Sequence, residues 1–142
     1  MNCTEVSPVA LDMIWEQVGP LLEKVIPTTY ERESTESIKQ KIKNKDVILW
    51  ILWNDIKDIK GVVTTKIIVY PHKKVCWWGF MAAKDNKIKD WFLIMVDTLT
   101  KYSKTNDCDT IEFVGRKGWF KQFQRTNIKL QNIGIIYEGK II

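Results

Sequence analysis

The 142-residue chain carries 22 Lys and Arg against 17 Asp and Glu, a net charge of +5 at neutral pH, with 45% apolar and 27% charged residues. That length is enough for one core but not two, and that balance excludes a disordered or low-complexity chain. The longest apolar runs, at 47–53 and 91–95, fall far short of the roughly 20 residues a membrane-spanning helix needs, so no membrane partner is expected.

Cys3, Cys76 and Cys108 are odd in number and widely spaced, which argues against a disulfide framework or a metal cluster and for reduced thiols that pack as small hydrophobes. The positive charge is mostly lysine, with Arg32, Arg116 and Arg125 the only arginines, and it alternates with acids along the chain. Such dispersal describes a solvated face rather than a phosphate-binding stripe, so nucleic acid is not the expected partner. At the N-terminus Glu5, Asp12 and Glu16 interrupt any apolar core of an export signal, and the cytoplasm is the expected location.

In chain order, Leu11, Ile14, Trp15, Val18, Leu21, Leu22 and Val25 recur at helical spacing, with Gly19 and Pro20 marking a break or kink. Ser34 is placed to cap a second short helix that buries Ile38 and Ile42. Residues 47–53 are continuously apolar and read as a strand covered on both faces. A polar turn over 54–60 leads to a β-branched strand at 61–70, and Pro71, His72, Lys73 and Lys74 connect it to a strand at 75–81. These three strands predict an antiparallel meander.

Asp85 or Asn86 is expected to cap a long helix with Ile88, Trp91, Phe92, Met95, Val96, Leu99 and Tyr102 on one face. A strand at 110–114, a turn punctuated by Gly115 and Gly118, a small helix over 119–125 and a last strand at 133–137 complete the prediction.

Helices, three strands, helix, strand, helix, strand is an order that resembles the GNAT N-acetyltransferase fold across nearly the whole chain. More specifically, Cys108 to Glu112 followed by Gly115, Arg116, Lys117, Gly118 and Trp119 is similar to a GR-x-GW signature in GNAT-like proteins of tailed bacteriophages. The stretches 50–53 and 63–65, with Tyr70, Pro71, Lys74, Val75 and Cys76, share that similarity. The resemblance implies a single α/β (α+β) domain over 1–142: a mixed sheet of five to seven strands with an antiparallel meander, flanked by about four helices. It also implies a phage origin.

The resemblance implies that acetyl-CoA, if used, would lie against Phe80, Met81, Ala82, Lys84, Asn86, Lys87 and Lys89, with Trp119 walling the pantetheine cleft. The family's glycine-rich loop has no glycine here, because Ala83 to Lys89 reads AKDNKIK. The tyrosine that protonates the leaving thiolate in many members falls on Phe123, which has no proton to give. Glu112 and Tyr137 are the remaining candidates for acid or base. His72, in a lysine-rich turn, reads as solvent-facing.

Two functions follow from the resemblance. One is a non-catalytic GNAT-fold protein that requires no cofactor and works in the virion or its assembly, in contact with phage or host proteins, in the host cytoplasm or packaged in the particle. The other is an active acetyl-CoA-dependent amine N-acetyltransferase that works mainly by positioning its substrates.

Overall fold

The computed structural model describes residues 1–115 and 117–141; Arg116, part of the GR-x-GW stretch, and Ile142 lie outside the described residues. Five strands form one sheet in spatial order: β1 (Asn2–Val6), β2 (Ile48–Asp55), β3 (Asp58–Tyr70), β4 (Lys73–Ala83) and β5 (Thr110–Glu112). The first four are antiparallel neighbours, and β5 runs parallel to β4. Four α-helices flank the sheet: α1 (Leu11–Glu23), α2 (Thr35–Lys43), α3 (Phe92–Thr105) and α4 (Lys117–Phe123). The mixed sheet, its meander and the four helices agree with the expected architecture.

The sheet is buried on both faces. Leu49 and Ile51 of β2 join Leu11, Val18, Leu22, Ile38 and Ile42 under α1 and α2. Their neighbours Trp50 and Leu52 point the other way, into a cluster with Trp78, Phe92, Met95 and Leu99 under α3. Alternation across a strand covered on both faces is why residues 47–53 have no polar position. The adjacent tryptophans of β4 divide as their spacing requires, Trp77 packing against the first cluster and Trp78 within the second.

Pro20 lies inside α1, but its face is exposed and the helix runs through it to Glu23. Ser34 caps α2 as expected: its hydroxyl accepts from Ser37 N at 3.0 Å, and Ser37 Oγ accepts in return from Ser34 N at 2.8 Å. This reciprocal box satisfies two amide donors that a helix start leaves open.

Four expectations need correction. An unforeseen strand, β1, precedes α1 and pairs with β2 through Asn2↔Trp53 to Val6↔Leu49. The polar turn expected over 54–60 shrinks to Ile56 and Lys57, since β2 continues to Asp55 and β3 starts at Asp58, where Asp55 Oδ1 accepts from Lys57 N at 2.9 Å. Neither Asp85 nor Asn86 caps the long helix. Lys84–Asn86 and Ile88–Asp90 instead form two short 3-10 segments, and α3 starts at Phe92 after Trp91, with no side-chain cap among the described residues. Finally, residues 133–137 form no strand; residues 131–141 are exposed, with Ile133 80%, Ile135 71% and Tyr137 88% accessible.

Burial sets the thiol chemistry. It pushes Cys3 up to about 11 from an ordinary 9.0, a hydrogen bond with Thr98 offsetting it only in part, and it also raises Cys76 and Cys108. Because thiolate is the reactive form, Cys3 should hold roughly a hundredfold less of it than an open cysteine near pH 8. A disulfide reagent is expected to label the native protein slowly and all three thiols at once after denaturation, as read by absorbance.

Candidate functional site

The feature that separates this sheet from a plain meander is a fork between β4 and β5. Among the described residues the two strands pair only at Val75↔Thr110, Cys76↔Ile111 and Trp77↔Glu112. Beyond Trp77, β4 continues to Ala83 bonded to β3 alone. The register between β3 and β4 also slips here, from Thr64↔Gly79 to Val62↔Ala82, so one extra residue sits on β4. Such a bulge bends the strand and increases its twist, turning the end of β4 away from β5.

Phe80 carries the bulge with φ 40°, a left-handed conformation that side chains disfavour. The hydroxyl of buried Thr64 holds it in place by donating to Gly79 O at 2.9 Å. Gly79 is required beside it, because a Cβ there would enter the ring of Trp77, which meets Phe80 edge-on with centroids 5.5 Å apart.

The mouth of the fork is a run of short turns. Asp85 (φ 55°) and Asn86 (φ 56°) both adopt the left-handed conformation, a role glycine would otherwise fill and one that short polar side chains tolerate best. The sequence lacks the family's glycines, yet the loop still makes positive-φ turns. Among the described residues no side chain caps the first turn of α3, which leaves its amide groups and the positive end of its dipole without a side-chain partner.

Part of the charge at the mouth is engaged. Lys24 Nζ donates to Ala83 O at 3.0 Å, and Lys84 Nζ reaches Asp58 Oδ1 at 2.6 Å. Lys60 takes the other oxygen of the same carboxylate, and together these two lysines hold Asp58 down at about 2. Asp58 is charged well below the usual carboxylate range of 3.8, so its contribution to stability is full above that value and fades as pH falls toward 2. Asp58→Asn is therefore expected to lower the melting temperature at neutral pH, with the gap to the parent closing on acidification below 3.8.

Inside the fork the residues are aromatic. Phe123 of α4 is 2% exposed and Trp78 1%. Phe123 stacks on Phe113 with centroids 5.0 Å apart and planes 13° from parallel, stands edge-on to Phe92 at 5.2 Å and leans on Trp78 at 5.9 Å. Trp119 closes over Phe92 at 6.0 Å. Each such pair adds about 0.5–1.5 kcal/mol beyond simple burial. The indole N–H groups of Trp78 and Trp91 are buried with no hydrogen-bond partner among the described residues, a cost tolerated only where packing compensates. Two open depressions of about 360 and 370 Å³ flank α4; the first is bordered by Lys89, Lys121, Gln122, Gln124 and Arg125.

The structure brings most of the sequence-derived candidates to this region. Phe80, Met81 and Ala82 form the bulge and the free end of β4, and Lys84, Asn86, Lys87 and Lys89 line the mouth. Trp119 covers the fork from α4, and half-buried Glu112 sits at the last paired position before the strands part. Tyr137 lies on the exposed chain after α4, and His72 is exposed in the β3–β4 turn. Sequence reasoning missed Phe113, Thr64 and Asp58. A buried hydroxyl between β-branched neighbours, as at Thr64, was the one signal available.

No protein-family model matches the chain, and no curated protein matches it in sequence. Its fold has clear counterparts among solved structures. A predicted acetyltransferase from Clostridium acetobutylicum, solved with acetyl-CoA, superposes with a TM-score of 0.69 at 11% identity, covering 96% of this chain and 95% of that one. Glucosamine-6-phosphate N-acetyltransferase from Arabidopsis thaliana gives 0.72 at 9% identity, covering 98% of each chain. A transcriptional regulator from Bacillus halodurans gives 0.71 at 16% identity over 97% and 99%. The chain has the GNAT fold, in the mixed five-stranded form described above. Among the described residues, no helix is long and apolar enough to cross a membrane.

Proposed function

We propose that this is a phage-encoded GNAT-fold protein whose cofactor fork has become part of the core, and that it serves in the virion or its assembly through contacts with phage or host proteins. The observation that carries this reading is Phe123, stacked on Phe113 at 5.0 Å and 2% exposed in the space where β4 and β5 part. A pantetheine arm needs that space, and the aromatic group filling it has no proton to supply to a leaving thiolate. No cofactor is required in this role. The phage setting is supported by the GR-x-GW resemblance around residues 115–119.

A second reading, an acetyl-CoA-dependent amine N-acetyltransferase, is favoured by the backbone. The bulge at Phe80, the left-handed Asp85 and Asn86 and the uncapped start of α3 together could receive a thioester and a pyrophosphate. Mixing the protein with acetyl-CoA and a panel of primary amines separates the two readings. The first expects release of free CoA at the uncatalysed rate. Amine-dependent release above that rate would select the second.

A further inference from the structure

Spacing along the chain sets the expectation against nucleic acid, but the fold gathers part of the positive charge at α4. The first depression beside this helix is bordered by Lys89, Lys121 and Arg125, together with the amides of Gln122 and Gln124. The second holds Lys129 and the ring of Phe120, and the two depressions meet at Gln124. Lys89 comes from the 3-10 segment before α3 and Lys121 from α4, so the grouping is a product of folding.

Among the described residues no carboxylate borders either depression, and none of these four cations forms an ion pair. Lys84 at the fork mouth differs, since Asp58 engages it. Arg125 has a neutral partner: its Nη1 donates to Gln122 Oε1 at 3.1 Å, which orients the guanidinium and leaves its charge uncompensated. Like charges gathered without an acid repel one another, a cost that an incoming anion removes.

Beside these cations Phe120 is 48% exposed. A phenylalanine ring has a face but no polar edge, so it recognises another flat face. Phosphates spaced along a chain that also carries flat rings answer both features, and that is the chemistry of a single-stranded nucleic acid. A duplex keeps its base faces stacked away from such a ring. A phosphopeptide site converges several arginines on one group, and Arg125 is the one arginine on these borders.

We propose that the surface around α4 binds single-stranded nucleic acid, with Lys89, Lys121, Arg125 and Lys129 on its phosphates and Phe120 stacked on a base. The strand runs from the basic depression, past Gln124, to the one that holds Phe120. This surface touches the fork only through Lys89, so it stands whether or not the fork admits a cofactor, and its test is independent of acetyl transfer.

The probe is a fluorescein-labelled oligothymidine of about 12 nucleotides, a length that one small domain can cover. It is titrated with the full chain and read by anisotropy between about 50 and 200 mM salt. Four phosphate contacts on a single strand predict a slope of log affinity on log salt of about −2 to −3. Lys121→Gln combined with Arg125→Gln should make that slope shallower by roughly 1 to 1.5. Phe120→Ala should weaken binding roughly 5- to 150-fold at unchanged slope. All three positions are exposed, and unchanged far-ultraviolet circular dichroism is expected of each variant. Should a variant lose its fold, the parent's preference for the oligonucleotide over a duplex and over inorganic polyphosphate decides the matter. Absence of binding at the lower salt, or an affinity that neither variant alters, would overturn the proposal. So would equal affinity for duplex or polyphosphate, since the surface would then hold any polyanion by charge alone.

Discussion

Phe123→Ala is expected to cost about 3–5 kcal/mol of folding stability, the range for deleting a fully buried phenylalanine when its surroundings cannot collapse. Collapse is opposed here because the ring contacts come from three separate parts of the chain: Trp78 on β4, Phe92 on α3 and Phe113 just after β5. A chain of this size loses roughly 2–4 °C per kcal/mol, so a melting-temperature drop of about 10 °C follows. Phe123→Tyr makes the companion test. If the fork is core, the added hydroxyl is buried without a partner, costs about 1–3 kcal/mol and confers no acetyl transfer. A tyrosine accepted without loss, with CoA release rising, would mean that the ring borders a cleft instead.

Gly61→Ala is the second large effect. Gly61 lies on β3 opposite Ala83, and a Cβ there would enter the ring of Trp91, which is 1% exposed and fixed at the entrance to α3. Neither side can yield, since the strand is paired on both edges and the indole sits in the α3-side cluster. Overpacking of this kind costs about 1–3 kcal/mol. The denaturation midpoint should fall while the slope stays unchanged. Because Trp91 orients the first turn of α3, indole fluorescence should shift as well. A variant as stable as the parent, with the same emission, would show that the contact is not restrictive.

What could be read from the sequence depended on how much of the signal was local. The β2 run at 47–53 was legible because a strand buried on both faces has no polar position, and the α3 stripe because one helix face supplies much of a core. Strand β1 was not. Its five residues are mostly exposed, and only Val6 is buried, so its existence depends on pairing with β2, far downstream, from Asn2↔Trp53 to Val6↔Leu49. Residues 133–137 show the converse: strand alternation is present, but a strand also needs a partner edge, and among the described residues none receives it.

The site was legible in the same uneven way. Position 123 was identified through the family resemblance, and the absence of glycine at 83–89 could be read directly. That Asp85 and Asn86 take up left-handed turns was hidden, because asparagine and aspartate serve equally well as helix caps and as positive-φ residues. The aromatic closure of the fork was hidden too. Phe113, Trp78 and Phe92 converge on Phe123 only after β5 docks beside β4.

The filled fork is tested most directly by melting the protein with and without millimolar acetyl-CoA. A ligand that binds only the folded state at 100 times its dissociation constant adds about 2.7 kcal/mol, roughly 5–10 °C for a chain of this size. A core closed by Phe123, Phe113 and Trp78 predicts an unchanged melting temperature. A rise of that size, reproduced by CoA and not by free acetate or phosphate, would contradict it and restore the fork as a cofactor seat.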